Sequence, residues 1–293
     1  MKIIEAEKIN KAKVTNTYEN FPLWSSLYLK KLMPDLSSLY YFCRTVDDYG
    51  DLPFKIANKK LSDLEKKVDS WYKSDKILSD EYSPLKKTIK KYALEKEGFQ
   101  KLIYANYKDL SKKRYDTFEE IMDYCSLSAN PVGRLILQIF DKKSSDLYKL
   151  SDSICTGLQI ANFLQDVSRD YKLGRIYIPM EDLKLFNVSE DDIANSNSTH
   201  SFKKLMKFES KRCWGMFNEG VPLINHLEGT QKIPISIFIH SGRKVLNKIK
   251  KIDFAILESR PTISKFEKIS LVAKSSINYF LKFQLAGIEK YND

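Results

Sequence analysis

Histidine is nearly absent from this chain, at three residues in 293, and cysteine is scarce, at four. Cys43, Cys125, Cys155 and Cys213 lie far apart, form no CxxC pair, and have no histidine at zinc-finger spacing. That excludes a zinc module and argues for buried free thiols in a reducing compartment. His200, His226 and His240 match no motif and read as structural or exposed. Ten glycines and nine prolines are too few for a collagen-like or low-complexity chain. No apolar run approaches 18 residues, so no membrane-spanning helix is expected. Residues 1–19 lack the apolar core of a secretory signal. No GxGxxG loop is present, and no nicotinamide cofactor is expected. A cytoplasmic protein is the expectation, with peripheral membrane contact left open.

Basic residues outnumber acidic ones, 49 against 38, giving a net charge of +11. The excess is mostly lysine, dispersed, with no block of five or six like charges. This reads as a solvated surface. No basic stripe with interleaved aromatics supports nucleic-acid binding.

Apolar side chains recur at helical spacing over residues 22–49, 57–73, 85–107, 117–140, 145–171, 200–227, 234–258 and 262–290. Pro34 interrupts the first stretch. Alternating strand patterns are nearly absent, and no long linker or internal repeat divides the chain. One all-α domain over residues 1–293 is expected, a helical bundle whose ligand site lies between facing helices. The last stretch, with Lys265, Lys268, Lys274, Lys282 and Lys290, is expected to pack its apolar face on the core; contact with an anionic membrane is the other reading.

Two aspartate motifs carry the chemistry. In the segment 40–51, Asp47 and Asp51 stand four apart on one helix face, beside Asp48. Arg44, three before Asp47, could offset their repulsion alone, which would make this an acidic surface turn. In the segment 159–170, Asp166 and Asp170 repeat the spacing, and Gln159 and Asn162 continue the polar stripe beside Ile160, Phe163, Leu164 and Val167. Buried polar groups need partners. Facing each other, the two helices would converge four carboxylates, which only cations make tenable. Mg²⁺ takes one or two carboxylates and fills its shell with water and phosphate oxygens. The pair of motifs therefore points to Mg²⁺–diphosphate binding.

Here the chain resembles the squalene and phytoene synthases, all-α enzymes of isoprenoid chemistry. The resemblance rests on the first aspartate motif, Tyr124-Cys125, the run 159–166, Asp170-Tyr171, the run 174–179, and Ile252-Asp253-Phe254 followed by Arg260, Ser264 and Lys265. It is finer toward the hydroxysqualene synthase branch. There Tyr18-Glu19-Asn20-Phe21-Pro22 replaces a His-Ser-x-Ser-Phe pattern, and Ser128-Ala129-Asn130-Pro131-Val132-Gly133-Arg134 replaces a Val-Ala-Gly-x-Val-Gly stretch. The run 174–183 also looks like that branch.

The resemblance implies an isoprenoid-synthase fold with a central cavity. It implies Mg²⁺, two or three ions, and conversion of presqualene diphosphate to hydroxysqualene and diphosphate. Condensation of two farnesyl or geranylgeranyl diphosphates is the rival within the family, and a non-catalytic binding or assembly module is the remote one. Asp47, Asp51, Asp166 and Asp170 would hold metal, with Asp48 beside them. Arg44, Gln159, Asn162, Arg175 and Asn20 would contact diphosphate or metal-bound water; Arg260 and Lys265 read first as a solvated basic face, with closure of that end the other reading. Phe21, Tyr40, Tyr124 and Phe163 would line the cation cavity, with ordinary core packing the equal alternative. Tyr124 and Asn130 could instead position the capturing water. Partner enzymes of squalene synthesis are further candidates for contact.

Overall fold

Helical periodicity and helix breakers divide the chain much as the sequence suggests. The computed structural model describes residues 3–16, 31–74 and 79–291. Asn20, Phe21 and the whole 18–22 segment lie outside the described residues. The first helices are α1 (Ile3–Asn16), α2 (Met33–Gly50), α3 (Phe54–Lys73), α4 (Ser83–Tyr92) and α5 (Lys96–Ser111). Next come α6 (Phe118–Ser128), α7 (Asn130–Ile139), α8 (Ser145–Lys172), α9 (Met180–Leu185) and α10 (Glu190–Ala194). The chain closes with α11 (His200–Gly220), α12 (Leu223–His226), α13 (Lys232–Lys251) and α14 (Lys265–Phe280). No strand occurs among the described residues.

Three periodic stretches prove to be two helices each. The 85–107 stretch breaks at Ala93, which takes a left-handed conformation (φ 48°). The 117–140 stretch breaks at Ala129, just before Pro131, whose ring removes a helix donor. The 200–227 stretch breaks at Val221-Pro222. Periodicity carries across such corners because both helices bury the same side. Helices α9 and α10 are too short to show a period and were not expected.

Side-chain oxygens start several helices. Thr117 accepts from the backbone N–H of Glu120, Ser144 from Leu147 and Thr199 from Phe202. Each satisfies one of the orphan donors of a first turn.

The 28-residue α8 runs through the middle, against α7, α11 and α13. Gly133 on α7 permits close approach: a Cβ there would lie 2.4 Å from Ser151 Oγ and 2.5 Å from Cys155 Sγ. In the other half, Phe42, Trp71 and Phe99 pack edge to face, with Phe42–Phe99 centroids 5.1 Å apart. Each buried aromatic of this kind contributes about 2–3 kcal/mol by removal from water.

The C-terminal helix departs from expectation. Leu271 and Tyr279 pack against the core, but the residues of α14 that are fully buried are Ser275 and Ser276. Phe266, Ile269 and Ile277 face solvent. The stretch is amphipathic, as its period says, yet Phe266, Ile269 and Ile277 point outward. The helix ends at Phe280, and residues 281–291 continue as a non-helical tail.

Candidate active site

A cavity of about 430 Å³ lies between α2, α7, α8 and α13. Its wall follows from the period of two helices. On α2, Leu36, Leu39, Phe42 and Val46 are buried in the core, while Tyr40, Cys43, Arg44 and Asp47 form a second stripe that faces the cavity. On α8 one stripe changes character along its length. It runs Ser151, Ile154, Cys155, Leu158, then Gln159, Asn162, Asp166 and Arg169. Positions three and four apart share a face, so one helix builds both an apolar body and a polar rim. Val132, Ile136, Leu223, Ile235 and Phe238 complete the apolar end.

The rim is a set of carboxylate–guanidinium pairs. Arg260 Nη2 donates to Asp166 Oδ2 at 3.0 Å, and its Nε donates to the other oxygen. The loop carrying Arg260 is tied down on α8. Ser168 Oγ donates to the Leu257 carbonyl at 3.0 Å, and Gln165 donates to the Pro261 carbonyl. Arg44 pairs with Asp48 at 2.9 Å, one turn on. Arg175 Nη1 lies 3.5 Å from Asp51 Oδ1, joining the segment after α8 to the end of α2. Its Nε is buried without a hydrogen-bond partner.

Asp170 has its carboxyl pushed up to about 7. Burial is the largest cause and the nearby Asp166 charge the next; Arg175 and Arg169 oppose them. Asp170, without a clamp such as Arg260 gives Asp166, thus has too little counter-charge to offset its burial. The donors here are hard oxygens, the chemistry that suits Mg²⁺. Among the described residues no three acidic, histidine or cysteine side chains converge as a ready-made cage. The convergence of four carboxylates expected from the two motifs is therefore not met among the described residues.

The anticipated residues separate into three groups: those on the cavity wall, those beside the rim but outside the lining (Asp48, Asp51, Asp170 and Arg175), and those in the core behind it. Tyr40, Arg44, Asp47, Gln159, Asn162 and Asp166 share the cavity wall, and Arg260 joins them. Tyr124, Phe163 and Asn130 do not line it. Asn130 is buried and accepts from Thr156 Oγ1 at 2.9 Å. Phe163 stacks on Tyr177, centroids 4.0 Å apart, because it lies on the core side of α8 beside Leu164 and Val167. Tyr124 is buried and donates to Asp109 Oδ2 at 2.5 Å.

Asp109, on α5, escaped sequence reasoning. It is buried, and Tyr177 Oη donates to its second oxygen at 3.1 Å. Burial raises its pKa, against the pull of the Tyr124 hydrogen bond and the nearby Arg175 charge. The available signal was its register: Asp109 continues the buried positions Leu102 and Ala105 at helical spacing. Tyr177 reaches it because the run after Gly174 (φ 77°) is extended along 113–116, with Ile176 and Met180 donating to the carbonyls of Lys113 and Tyr115. Asp109 therefore ties α6 and the 174–179 run to α5, and sets the field around Arg175.

A graded cavity with a rim of aspartates and arginines, on an all-helical frame, meets its match in known proteins. The family model for squalene/phytoene synthase matches residues 14–267. The chain belongs to the squalene/phytoene synthase family. Family members are enzymes that act on prenyl diphosphates. A phytoene synthase of Arthrospira platensis is 26% identical over 79% of this chain and 80% of its own. A hydroxysqualene synthase of Zymomonas mobilis is 31% identical, over 62% of this chain and 61% of its own. Among solved structures, squalene synthase HpnC from Alicyclobacillus acidocaldarius has a TM-score of 0.79 and 33% identity, covering 85% of this chain and 95% of that one. No described helix is long and apolar enough to cross a membrane.

Proposed function

We propose that this enzyme converts presqualene diphosphate to hydroxysqualene and inorganic diphosphate. The observation that carries the proposal is this cavity, mainly apolar along Ile154, Leu158, Ile136 and Phe238 and carrying its charged groups at the rim. A substrate with one long hydrocarbon and one diphosphate asks for that gradient. The 128–134 segment, on which the finer resemblance rests, contributes Ser128, Ala129, Val132 and Gly133 to the wall. The relatives named hydroxysqualene synthase and HpnC add support at 31% and 33% identity.

In this reading Arg44, Arg175 and Arg260 hold diphosphate oxygens, where a planar guanidinium can make two charge-assisted hydrogen bonds. Gln159 and Asn162 orient the same group or its water. Asp47, Asp51, Asp166 and Asp170, with Asp48 alongside, fit Mg²⁺, which when bound would stabilise charge on the leaving diphosphate. The ester C–O bond breaks and its electron pair leaves with diphosphate. The carbocation rearranges inside the apolar wall, which keeps bulk water away. Tyr40 offers the cation a π face. One water then forms the new C–O bond, and its proton passes to the departing diphosphate, the strongest base at the rim.

Condensation of two farnesyl or two geranylgeranyl diphosphates is the second reading. It is favoured by the Arthrospira phytoene synthase, matched over 80% of its length, and by the polar cluster of Arg175, Asp51 and Asp170 beside the rim. One assay separates the two. The protein is incubated with Mg²⁺ and presqualene, farnesyl or geranylgeranyl diphosphate in separate reactions, without nicotinamide, and the lipids are read by mass spectrometry. Hydroxysqualene from the first and nothing from the other two is expected. A condensed product from farnesyl or geranylgeranyl diphosphate would make the enzyme a condensing synthase instead.

A further inference from the structure

The end of the chain is built inside out. On α14, Phe266, Ile269, Ala273 and Ile277 fall on one stripe and all are exposed, Phe266 at 85%. The opposite side carries Ser275, whose hydroxyl lies 3.3 Å from Ser236 Oγ. The tail continues the pattern, with Leu281, Phe283 and Ile288 exposed, Ile288 at 74%. Large apolar side chains kept in water cost free energy unless something covers them.

These side chains are not left out by fraying. The tail is tied to α11 and α13 by buried or half-buried polar groups. Trp214 Nε1 and Asn218 Nδ2 each donate to the Glu289 carbonyl at 2.8 Å. Arg243 Nη2 donates to the Gly287 carbonyl at 2.8 Å, and Ser236 Oγ to that of Leu285 at 2.9 Å. His240 Nε2 lies 2.6 Å from the Leu285 carbonyl; an oxygen can only accept, so that nitrogen carries the proton. The strap buries Leu285 and Ala286 and holds Phe283 and Ile288 outward.

Charge decides what covers this face. Residues 264–291 carry five lysines and two glutamates. One glutamate, Glu267, is already paired with Lys244 and Lys248. Lys274, Lys282 and Lys290 are exposed beside the apolar stripe. A second copy docked through the same face would set lysines against lysines in a chain of net charge +11. An anionic bilayer offers both things the face lacks, apolar depth for the large side chains and negative charge for lysines that snorkel to the headgroups.

We propose that α14 and the 281–290 tail form a docking face for an anionic lipid bilayer. A hollow of about 670 Å³ beside the tail, lined by Pro222, Ile224, Tyr279 and Phe283, lies at this face. Helix α12 is the partition behind it: Ile224 lines the hollow while Leu223 lines the apolar end of the catalytic cavity. Docking therefore sets hydrocarbon one short helix away from the end of the cavity that holds hydrocarbon.

The test is co-sedimentation of the full chain with phosphatidylcholine vesicles, with and without phosphatidylglycerol. Binding to the anionic vesicles, weaker on phosphatidylcholine alone, is expected. The triple variant Phe266→Glu, Ile269→Glu, Ile277→Glu should bind roughly tenfold or more weakly. The variant Lys274→Glu, Lys282→Glu, Lys290→Glu should lose about fivefold per lysine on anionic vesicles and flatten the salt dependence. Leu185→Glu, exposed on α9, should change nothing. If the apolar variant melts early, the lysine variant, which alters no packed apolar contact, carries the test alone. Absence of binding, or binding indifferent to both variants, overturns the proposal. So does a concentration-dependent dimer that the apolar variant abolishes without vesicle binding, which would give the face to a second copy.

Discussion

The aspartate pair on α2 and the pair on α8 share a spacing and little else. Asp47 and Asp51 stand at the exposed end of a helix, where the Asp51 side chain is 61% accessible. Asp166 is 19% accessible and clamped by Arg260, and Asp170, one turn on, is held above the ordinary carboxylate range by burial and by Asp166. Two like charges at this spacing cost a few tenths of a kcal/mol in water and considerably more when half buried. The α2 pair is thus inexpensive to keep. The α8 pair carries an electrostatic strain that the neighbouring arginines relieve only in part.

Removing rim carboxylates should give the largest effect. Under the proposed chemistry, Asp166→Asn and Asp47→Asn each lower kcat/KM on the active prenyl diphosphate by roughly 10²–10³-fold. Steady-state kinetics on purified variants that retain the wild-type melting temperature measures it. Retention of more than a tenth of the activity by either variant would remove that pair from the active site.

Next in size is the support behind the rim. Tyr124→Phe takes away one of the two hydroxyls that Asp109 accepts from, leaving a buried carboxylate under-satisfied. A loss of about 1–3 kcal/mol in unfolding free energy is expected. Urea denaturation measures it. A change below about 0.5 kcal/mol would mean that Tyr124 is replaceable there.

These cases show which parts of the protein were legible beforehand. The helical class and most helix spans follow from the apolar period, which burial enforces on every packed helix. The rim was legible because polar residues at helical spacing interrupt apolar stripes, as Gln159, Asn162 and Asp166 do. Legibility failed where the deciding partner is distant in sequence. Nothing near Tyr124 announces that Asp109, fifteen residues earlier, takes its hydroxyl, or that Tyr177 takes the other oxygen. Tyr124 and Phe163 looked like cavity aromatics for that reason, yet they belong to the support behind it. The outward apolar face of α14 failed for a related reason. Periodicity says that a helix has two faces, and only packing says which one turns in.

The comparison between the pairs is sharpest in stability, measured with chelator present so that added metal does not intervene. Asp170→Asn keeps the shape and removes the charge that burial and Asp166 disfavour. Its folded carboxyl titrates near 7, against an ordinary value of 3.8. Between those values the folded protein holds a proton that the unfolded chain has released, so wild-type stability falls as pH rises through this window. Asp170→Asn lacks that slope. Its advantage over wild type should be small near pH 4 and grow to about 1–2 kcal/mol by pH 8. Asp51→Asn should stay within about 0.5 kcal/mol of wild type at pH 8, because its side chain is 61% accessible and its pairing with Arg175 is exposed to solvent. Thermal melts across this range decide it. Equal behaviour of the two variants would mean that solvent reaches α8 as freely as α2, and the strain attributed to the α8 pair would be gone.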